Sequence, residues 1–257
     1  SKEWDNGIDA TLGYAYVEAE DANPMTSSVA GSNYTNFAST YANEPTVATS
    51  DYEIPHRITM SLSYATEFFD GYETRFSMFG TASDGETLSY VFNSSLAGNR
   101  RSAGFSQAFD WDSSTGRQLL YVPTGDGGDN VVFEDAATEA AFFDWADSEG
   151  LERGATVGRN ADNAPWWIKA DIRISQQFPG FMQGHKGSAF LVIENFTNLL
   201  NDEWGDYRQG SFVGERVVNV DINPDGEYVY RSFREPTTSI SRGPSLWEIR
   251  VGVNYRF

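Results

Sequence analysis

The clearest feature of the chain is a strict alternation of apolar and polar residues at its C-terminal end. From Trp247 to Phe257, every odd position is apolar or aromatic, and every even position is Glu, Arg, Gly or Asn. A strand places alternate side chains on opposite faces, whereas a helix would mix the two sets. The segment therefore predicts a β-strand with one apolar face and one polar face.

The same alternation recurs upstream. It is clear in segments 8–16, 57–65 and 166–178 and weaker in segments 72–82, 187–197, 214–222 and 227–234. Together with the last segment, these predict about eight strands and an all-β fold.

The connections between these segments alternate in length. Short ones at 69–72, 179–184 and 223–226 carry Gly with Asp, Asn or Pro, as tight turns require. The long ones are 20–54, 84–164, 198–213 and 235–244. This order predicts an antiparallel up-and-down sheet with short turns at one rim and long loops, 20–54 and 84–164 above all, at the other.

The segment 84–164 is too long to be a plain loop. Its apolar runs at 119–122 and 131–133 flank a Gly-rich stretch and predict a small hairpin. Residues 135–146 predict one short loop helix, capped by Asp135 and ended by Gly150. The aromatic side chains of this helix predict packing on the barrel mouth, which we favour over an extracellular lid that touches a substrate or partner.

Alternation alone fits either a soluble sandwich or a membrane barrel, because both separate an apolar from a polar face. Aromatic residues near the predicted strand ends and strand lengths of about 10 residues favour a transmembrane β-barrel. The lipid-facing set is then Ile168, Ala170, Ile172, Ile174, Trp247 and Ile249. The lumen-facing set is Lys169, Asp171, Arg173, Glu248 and Arg250.

Composition limits the ligands and sites that the chain can be expected to have. The 257 residues include 18 Lys and Arg against 37 Asp and Glu, a net charge of −19, so a nucleic-acid partner is not expected. Cysteine is absent, which excludes disulfides and Cys-based zinc sites. The acidic residues concentrate in the long loops, where they favour cationic or neutral ligands over polyanions.

Catalytic motifs are missing. The chain has two His residues and no Gly-x-Ser-x-Gly, so we expect no enzyme and no catalytic residues. Asp110-Trp111-Asp112 and the stretch 126–130 could offer oxygen ligands to Ca²⁺, but neither forms a complete EF-hand loop. Solvated acidic loops are the favoured interpretation, and no cofactor or metal is predicted.

The terminal strand resembles the last strand of bacterial outer-membrane barrels. In those proteins an alternating strand that ends in Phe is the signal read by the barrel-assembly machinery. The resemblance implies that Val251, Val253, Tyr255 and Phe257 form this assembly signal.

Five further stretches resemble the Oar-like TonB-dependent receptors, in that family's order. They are Asp51-Tyr52-Glu53-Ile54-Pro55-His56-Arg57, Leu119-Leu120-Tyr121-Val122-Pro123, Ala164-Pro165-Trp166-Trp167, Asp171-Ile172-Arg173-Ile174-Ser175-Gln176 and Glu194-Asn195-Phe196-Thr197-Asn198-Leu199-Leu200-Asn201. The resemblance implies a receptor of the cell outer membrane that moves a ligand across it. Its implied partners are outer-membrane lipid and lipopolysaccharide, the barrel-assembly machinery and the TonB system.

A full receptor of this kind has a plug, a TonB box and a barrel of about 22 strands. Residues 1–257 have room for about eight strands and show no plug, so we expect the C-terminal portion of such a barrel, processed or excised from a longer protein. Two alternatives stay open. One is a small self-closed outer-membrane barrel with a structural or adhesive role, and the other is a soluble carbohydrate-binding β-sandwich.

Overall fold

The computed structural model describes residues 1–41, 43–93 and 117–257. Its strands are β1 (Lys2–Glu3), β2 (Ile8–Tyr16), β3 (Glu20–Asp21), β4 (Ala48–Thr49), β5 (His56–Phe69), β6 (Tyr72–Ser83), β7 (Thr87–Leu88), β8 (Tyr90–Asn93), β9 (Tyr121–Val122), β10 (Val131–Phe133), β11 (Ala155–Thr156), β12 (Asp162–Asn163), β13 (Trp167–Pro179), β14 (Lys186–Glu194), β15 (Arg208–Gln209), β16 (Glu215–Ile222), β17 (Tyr228–Phe233), β18 (Ser239–Ile240) and β19 (Glu248–Arg256). Its helices are α1 (Ala30–Thr35), α2 (Ala136–Ser148), α3 (Phe196–Leu200) and α4 (Arg242–Ser245). Strands dominate, which confirms the all-β prediction.

The largest element is a seven-stranded sheet in the order β1-β2-β5-β6-β13-β14-β19, which we call the long sheet. Every neighbouring pair in it is antiparallel. The tight turn between β5 and β6 uses Gly71 at φ 77°, a conformation that glycine adopts without strain. Within the described residues the sheet is open, with β1 and β2 at one edge and β19 at the other.

The strand register aligns the apolar positions across the long sheet. Leu12 lies opposite Met60, and Leu62 lies opposite Met78. Met78 in turn lies opposite Ile172, which is also paired with Ile193 of β14. Because side chains alternate with a period of two, this register places every apolar set on the same face.

A second, four-stranded sheet has the order β10-β17-β16-β8. Its outer pairings are parallel and the central one, between β16 and β17, is antiparallel. The predicted strands at 214–222 and 227–234 therefore exist, but their assignment to the up-and-down sheet is wrong. The long sheet has six long strands and the short β1 instead of about eight, and the turn at 223–226 lies with the long loops.

Two other predictions are also wrong in detail. The runs 119–122 and 131–133 do not form a hairpin, because β9 pairs with β11 and β10 pairs with β17. A two-stranded hairpin could not bury runs as apolar as these. Each run pairs instead with a strand of a larger packed unit. The predicted strand 187–197 ends at Glu194, because Asn195 takes the left-handed conformation at φ 48° and starts α3.

Helix α2 forms as predicted. The Asp135 carboxylate accepts a hydrogen bond from the Thr138 amide at 2.7 Å, and Gly150 follows the helix end at φ 66°. The helix buries Phe142, Phe143 and Trp145 in a cluster with residues of β8, β9, β16 and β17. This confirms that its aromatic side chains serve packing.

The packed core lies in the long connections. Every buried apolar side chain of the described residues is outside the long sheet. We call the unit around this core, built from residues 84–93, 117–164 and 205–241 as far as the structure describes them, the loop layer. Across the described ranges, no helix combines the length and hydropathy that a membrane crossing requires.

Candidate functional site

The apolar face of the long sheet is a continuous exposed surface. Leu12 is 70% exposed in β2, and Val251 and Val253 are 76% and 67% exposed in β19. Ile58, Met60, Leu62 and Ile168, in the strands between, are also exposed. In the part of the chain that the structure describes, no second layer covers this face.

Aromatic rings border the apolar face at the end where the long connections begin. The Tyr14 hydroxyl lies 2.9 Å from Nδ1 of His56. The His56 ring stacks on Trp166 with 6.4 Å between centroids, and it lies 5.2 Å from the Tyr16 ring. The His56 amide also donates to Asp84 at 2.8 Å, so this residue forms hydrogen bonds through both its ring and its backbone at this end of the sheet.

A second group of rings borders the same face at the short-turn end. The Tyr255 hydroxyl lies 3.0 Å from Nδ1 of His185 and accepts a hydrogen bond from the Phe181 amide at 3.0 Å. The Phe181 and Tyr255 rings stack at 5.6 Å. On β5 and β6, Phe76 contacts Tyr64 and Phe68 at similar separations. The apolar band therefore has an aromatic border at each end.

The opposite face of the sheet carries charged pairs. Arg75 lies 4.0 Å from Asp9, Lys169 lies 3.3 Å from Asp171, and Arg250 lies 3.1 Å from Glu194. The Arg173 guanidinium lies 4.5 Å above the Phe190 ring. The Arg250 and Arg173 contacts link neighbouring strands, the Arg75 pair reaches across β5, and the Lys169 pair lies within β13. Together they give this face a polar character.

The two predicted sets of site residues fall on opposite faces. Their register in β13 and β19 separates the set Ile168, Ala170, Ile172, Ile174, Ile249 from the set Lys169, Asp171, Arg173, Glu248, Arg250. Trp247 comes directly before β19 and is 46% exposed. Which face meets lipid stays a prediction at this point.

The predicted assembly signal lies on an open edge. Val251, Val253 and Tyr255 belong to β19, which pairs with β14 on one side only. Phe257 follows the strand and is 93% exposed. The arrangement leaves these four side chains accessible together with the unpaired backbone of an edge strand.

A buried asparagine organises the outer ends of β13 and β14. The Asn195 side chain is fully buried, and its Nδ2 donates to the carbonyls of Gly205 and Ser245 at 3.1 and 2.6 Å. Its backbone amide donates to the Asp171 carboxylate at 2.7 Å. Trp167 Nε1 donates to the same Gly205 carbonyl at 3.0 Å. This group of contacts fixes the turn around residue 205.

A cavity of about 420 Å³ lies beside that turn, and we call it the rim cavity. Its lining residues are Pro165, Trp166, Ile168, Thr197, Glu203, Trp204, Gly205, Asp206 and Arg208. Trp166 and Ile168 also belong to the apolar face and its aromatic border. No sequence pattern predicts this site, and the Trp204-Gly205 pair close after the Asn195 stretch is its one local signal.

Two further cavities, of about 270 and 280 Å³, lie in the loop layer and share Asp129 and Val131. We call them the Asp129 cavities. Asp129 Oδ2 accepts hydrogen bonds from the Thr124 amide at 2.6 Å and the Tyr121 hydroxyl at 3.3 Å. Burial, with the Asp129 carboxylate beside it, raises the pKa of the Tyr121 hydroxyl, so this group stays a neutral donor. Aromatic walls and one oriented carboxylate suit a ligand with a cationic or hydroxyl group.

Burial also perturbs acids of the loop layer. It raises the pKa of Glu86, with Glu215 adding to the rise and the Gly210 amide opposing it. It raises the pKa of Glu149 in the same way, with Asp162 and Glu235 adding. The buried Arg159 guanidinium of the same layer donates a hydrogen bond to the Asp21 carboxylate at 2.7 Å. That contact joins the 20–54 connection to the loop layer.

The structure offers little for metal binding. Among the described residues, no group of three or more His, Asp or Glu side chains could hold a metal ion. The Asp126 carboxylate accepts instead from the Thr124 hydroxyl and the Gly128 amide, which is a local turn. The other predicted oxygen donors, at 110–112, lie outside the described residues.

No protein-family model matches the chain, and no curated protein or solved structure matches it. The resemblance to Oar-like receptors therefore stays a prediction that depends on the sequence stretches quoted above.

Proposed function

We propose that the chain is the C-terminal part of an outer-membrane β-barrel of the TonB-dependent receptor type. The observation that carries the proposal is the exposed apolar face of the long sheet, bordered by aromatic rings at both ends and backed by a charged face. Soluble monomers rarely expose apolar patches of more than a few hundred Å². A lipid-facing barrel wall requires this arrangement.

The dimensions agree with this proposal. From Trp167 to Pro179, at about 3.3 Å per residue, β13 rises about 40 Å along its axis. A barrel strand tilts by about 40°, which reduces the vertical rise to about 30 Å, the thickness of a bilayer core. The aromatic rings would then lie at the two membrane interfaces.

The open edges favour a larger barrel over the alternatives. A closed barrel has no edges, and outer-membrane barrels start at about 8 strands, so six long strands are too few for a small self-closed one. A soluble sandwich needs a second sheet on the apolar face, and the described residues supply none. Further strands outside this chain would complete the barrel between β2 and β19.

In this proposal the parts of the molecule have separate tasks. The loop layer lies on the cell exterior and binds a ligand, for which the Asp129 cavities are a candidate site. The charged face of the long sheet lines the lumen through which the ligand passes. Energy comes from the TonB system acting on a plug that this chain lacks, and the chain itself performs no chemistry.

Single-cysteine labelling tests the membrane orientation. This chain has no natural cysteine, so spin labels can be placed at Leu12 and Val251 on one face and at Thr11 and Asn254 on the other. The native-length protein, made otherwise cysteine-free, is reconstituted in lipid. We expect the first pair to be relaxed by lipid-soluble oxygen and the second pair by a water-soluble nickel complex. Equal accessibility of all four to the nickel complex would contradict the proposal.

A further inference from the structure

We propose that the Asp129 cavities bind an ammonium group on an alkyl stem, the chemistry that the lysine side chain of a peptide and a free alkyl amine share. The proposal deepens the proposed function and rests on it for one point, the exposure of the loop layer at the cell exterior. It assigns a charge and a size to the ligand, both of which the fold alone leaves open.

The Asp129 carboxylate is the first argument. It lines both cavities, and its two hydrogen bonds, from the Thr124 amide and the Tyr121 hydroxyl, both fall on Oδ2. Within the described ranges, Oδ1 accepts no hydrogen bond and the carboxylate forms no ion pair. A bound ammonium group would donate to Oδ1 and supply the countercharge, and such charge-assisted hydrogen bonds are the stronger kind.

The walls of the cavity of about 270 Å³ are the second argument. Phe92, Tyr121, Tyr228 and Tyr230 are among its lining residues. Burial raises the pKa of the Tyr230 hydroxyl, and the Asp129 charge adds to the rise, so this phenol stays neutral. Aromatic ring faces attract a cation, and apolar walls favour the methylene groups of its stem.

The charge of the surroundings is the third argument. Residues 129–149 hold seven Asp and Glu side chains and no Lys or Arg. The Arg153 guanidinium, close to Gly125 of the second cavity, is already paired with Asp147 at 2.7 Å. Such a surface attracts a cation and repels an anion. A neutral ligand would remove water from the Asp129 carboxylate and leave its charge unpaired, which costs free energy.

The size and rigidity of the cavities are the fourth argument. Volumes of about 270 and 280 Å³ lie just below the range of sites for drug-sized ligands, so each cavity suits one side chain or one small amine. The loop around Asp129 is tied on both sides, because the Asn130 side chain also donates to the Gly226 carbonyl at 2.9 Å. The carboxylate is therefore held before the ligand arrives, and binding costs little conformational entropy.

Isothermal titration calorimetry on the native-length protein in detergent tests the proposal. The probes are Nα-acetyl-lysine amide and its Nε-acetylated form, which keeps the stem and lacks the charge. We expect the charged probe to bind about tenfold more tightly, as one charge-assisted contact predicts. The amine n-pentylamine carries the same group without a peptide unit and should also bind. Tighter binding of the lysine probe than of n-pentylamine would assign the natural ligand to peptides, and the reverse would assign it to free amines.

A matched pair of variants separates the cavities from the general charge of the layer. Asp129→Asn should weaken binding of the charged probe by about tenfold, because the amide keeps the shape and loses the charge. Asp126→Asn is the control, since it makes the same charge change in the same loop on a side chain that lines neither cavity. It should bind both probes as the unchanged protein does.

A second pair of variants tests the aromatic wall. Tyr121→Phe keeps the ring and should bind the charged probe within about twofold of the unchanged protein, whereas Tyr121→Leu removes the ring face and should bind it about threefold more weakly than Tyr121→Phe does. Equal binding by these two variants would remove the ring from the site.

Three results would overturn the inference: equal affinity for the charged and the acetylated probe, no effect of Asp129→Asn, or an equal effect of Asp126→Asn. Failure of the proposed function gives a different result. A protein that stays soluble without detergent and still prefers the charged probe contradicts the membrane orientation and keeps the cavity assignment. A protein whose spin labels show the expected orientation, but which has no preference between the probes, contradicts only the cavity assignment.

Discussion

The long sheet and the loop layer differ in where their apolar side chains lie: the loop layer buries them, and the long sheet exposes them. The loop layer encloses aromatic side chains such as Phe142 and Tyr230, which are 0% and 1% exposed. The long sheet encloses no apolar side chain, and residues such as Leu12 and Val251 stand on its surface. The loop layer is built as proteins in water are, whereas the exposed apolar residues of the long sheet match the lipid surrounding that the proposed function gives it.

This contrast also explains how each region is held together. The strands of the long sheet are joined by backbone hydrogen bonds and by ion pairs across the charged face. The loop layer depends on ring-to-ring packing, with Phe142 in contact with Phe133, Trp145 and Tyr230. A substitution should therefore destabilise only the region that contains it, and the loss of folding free energy should depend on that region.

The largest expected effect comes from truncating the loop-layer core. Phe142→Ala should destabilise that layer by about 3–5 kcal/mol, because the site cannot refill the volume of a buried ring. Amide hydrogen exchange should speed up in α2, β16 and β17 and stay unchanged in the long sheet. Leu12→Ala is the matched control and should change neither region. Faster exchange spread evenly over both regions would show that they are one cooperative unit.

A charge on the apolar face should have the next largest effect. Ile172→Arg should cost about 2–4 kcal/mol of folding free energy in lipid if the residue lies near mid-bilayer, because a guanidinium would meet hydrocarbon. Arg173→Ile, one position along on the charged face, should cost far less. Urea titration in lipid vesicles measures both. If the two variants are equally tolerated, the face assignment is wrong.

Deletion of Phe257 should affect assembly more than stability. Its ring at the membrane interface is worth about 1.5–3 kcal/mol, too little to unfold a large barrel. As the last residue of the proposed assembly signal, it should nevertheless be needed for insertion in cells. We expect low outer-membrane yield in cells and near-normal refolding in detergent. A parallel loss in both assays would make it a packing residue only.

The smallest expected effect is a pH dependence confined to the loop layer. The folded pKa of Glu86 is raised above its ordinary value of 4.5, so the folded state holds its proton more tightly than the unfolded state does. Stability of the layer should therefore fall as pH rises from 4.5 through the raised pKa. Glu86→Gln should flatten this dependence in thermal melts between pH 4 and 7. If Glu86→Gln leaves the slope of stability against pH unchanged, the pH dependence comes from Glu149 or from other acids.

The long strands could be predicted from the sequence because their faces alternate without interruption. In β13 and β19 the apolar residues lie on one face and the polar residues on the other, and the turns between strands carry Gly and Asp. The same rule misassigned β16 and β17, whose alternation is weaker but still typical of a strand. These strands pair in parallel with β8 and β10, and pairing between distant segments leaves no mark in the local pattern.

The rim cavity and the Asp129 cavities could not be predicted for a related reason. Each one assembles from segments that are far apart in the sequence and meet only in the fold. Asn195 gave a partial signal, since a polar residue at the end of an apolar strand often marks a stop. Its full burial and its bonds to Gly205 and Ser245 became visible only in three dimensions.

The parallel pairings of the loop layer set an order for its folding. Strand β16 supplies the partner of β8, and β17 supplies the partner of β10, across separations of about one hundred residues. Both lie immediately before the terminal segment of the chain. The core around Phe142 therefore cannot close until β16 and β17 have joined β8 and β10. If the loop layer lies on the cell exterior, as the proposed function requires, its closure would report that translocation of residues 84–241 is nearly complete, and a chain stalled earlier would keep its aromatic residues exposed to chaperones and proteases.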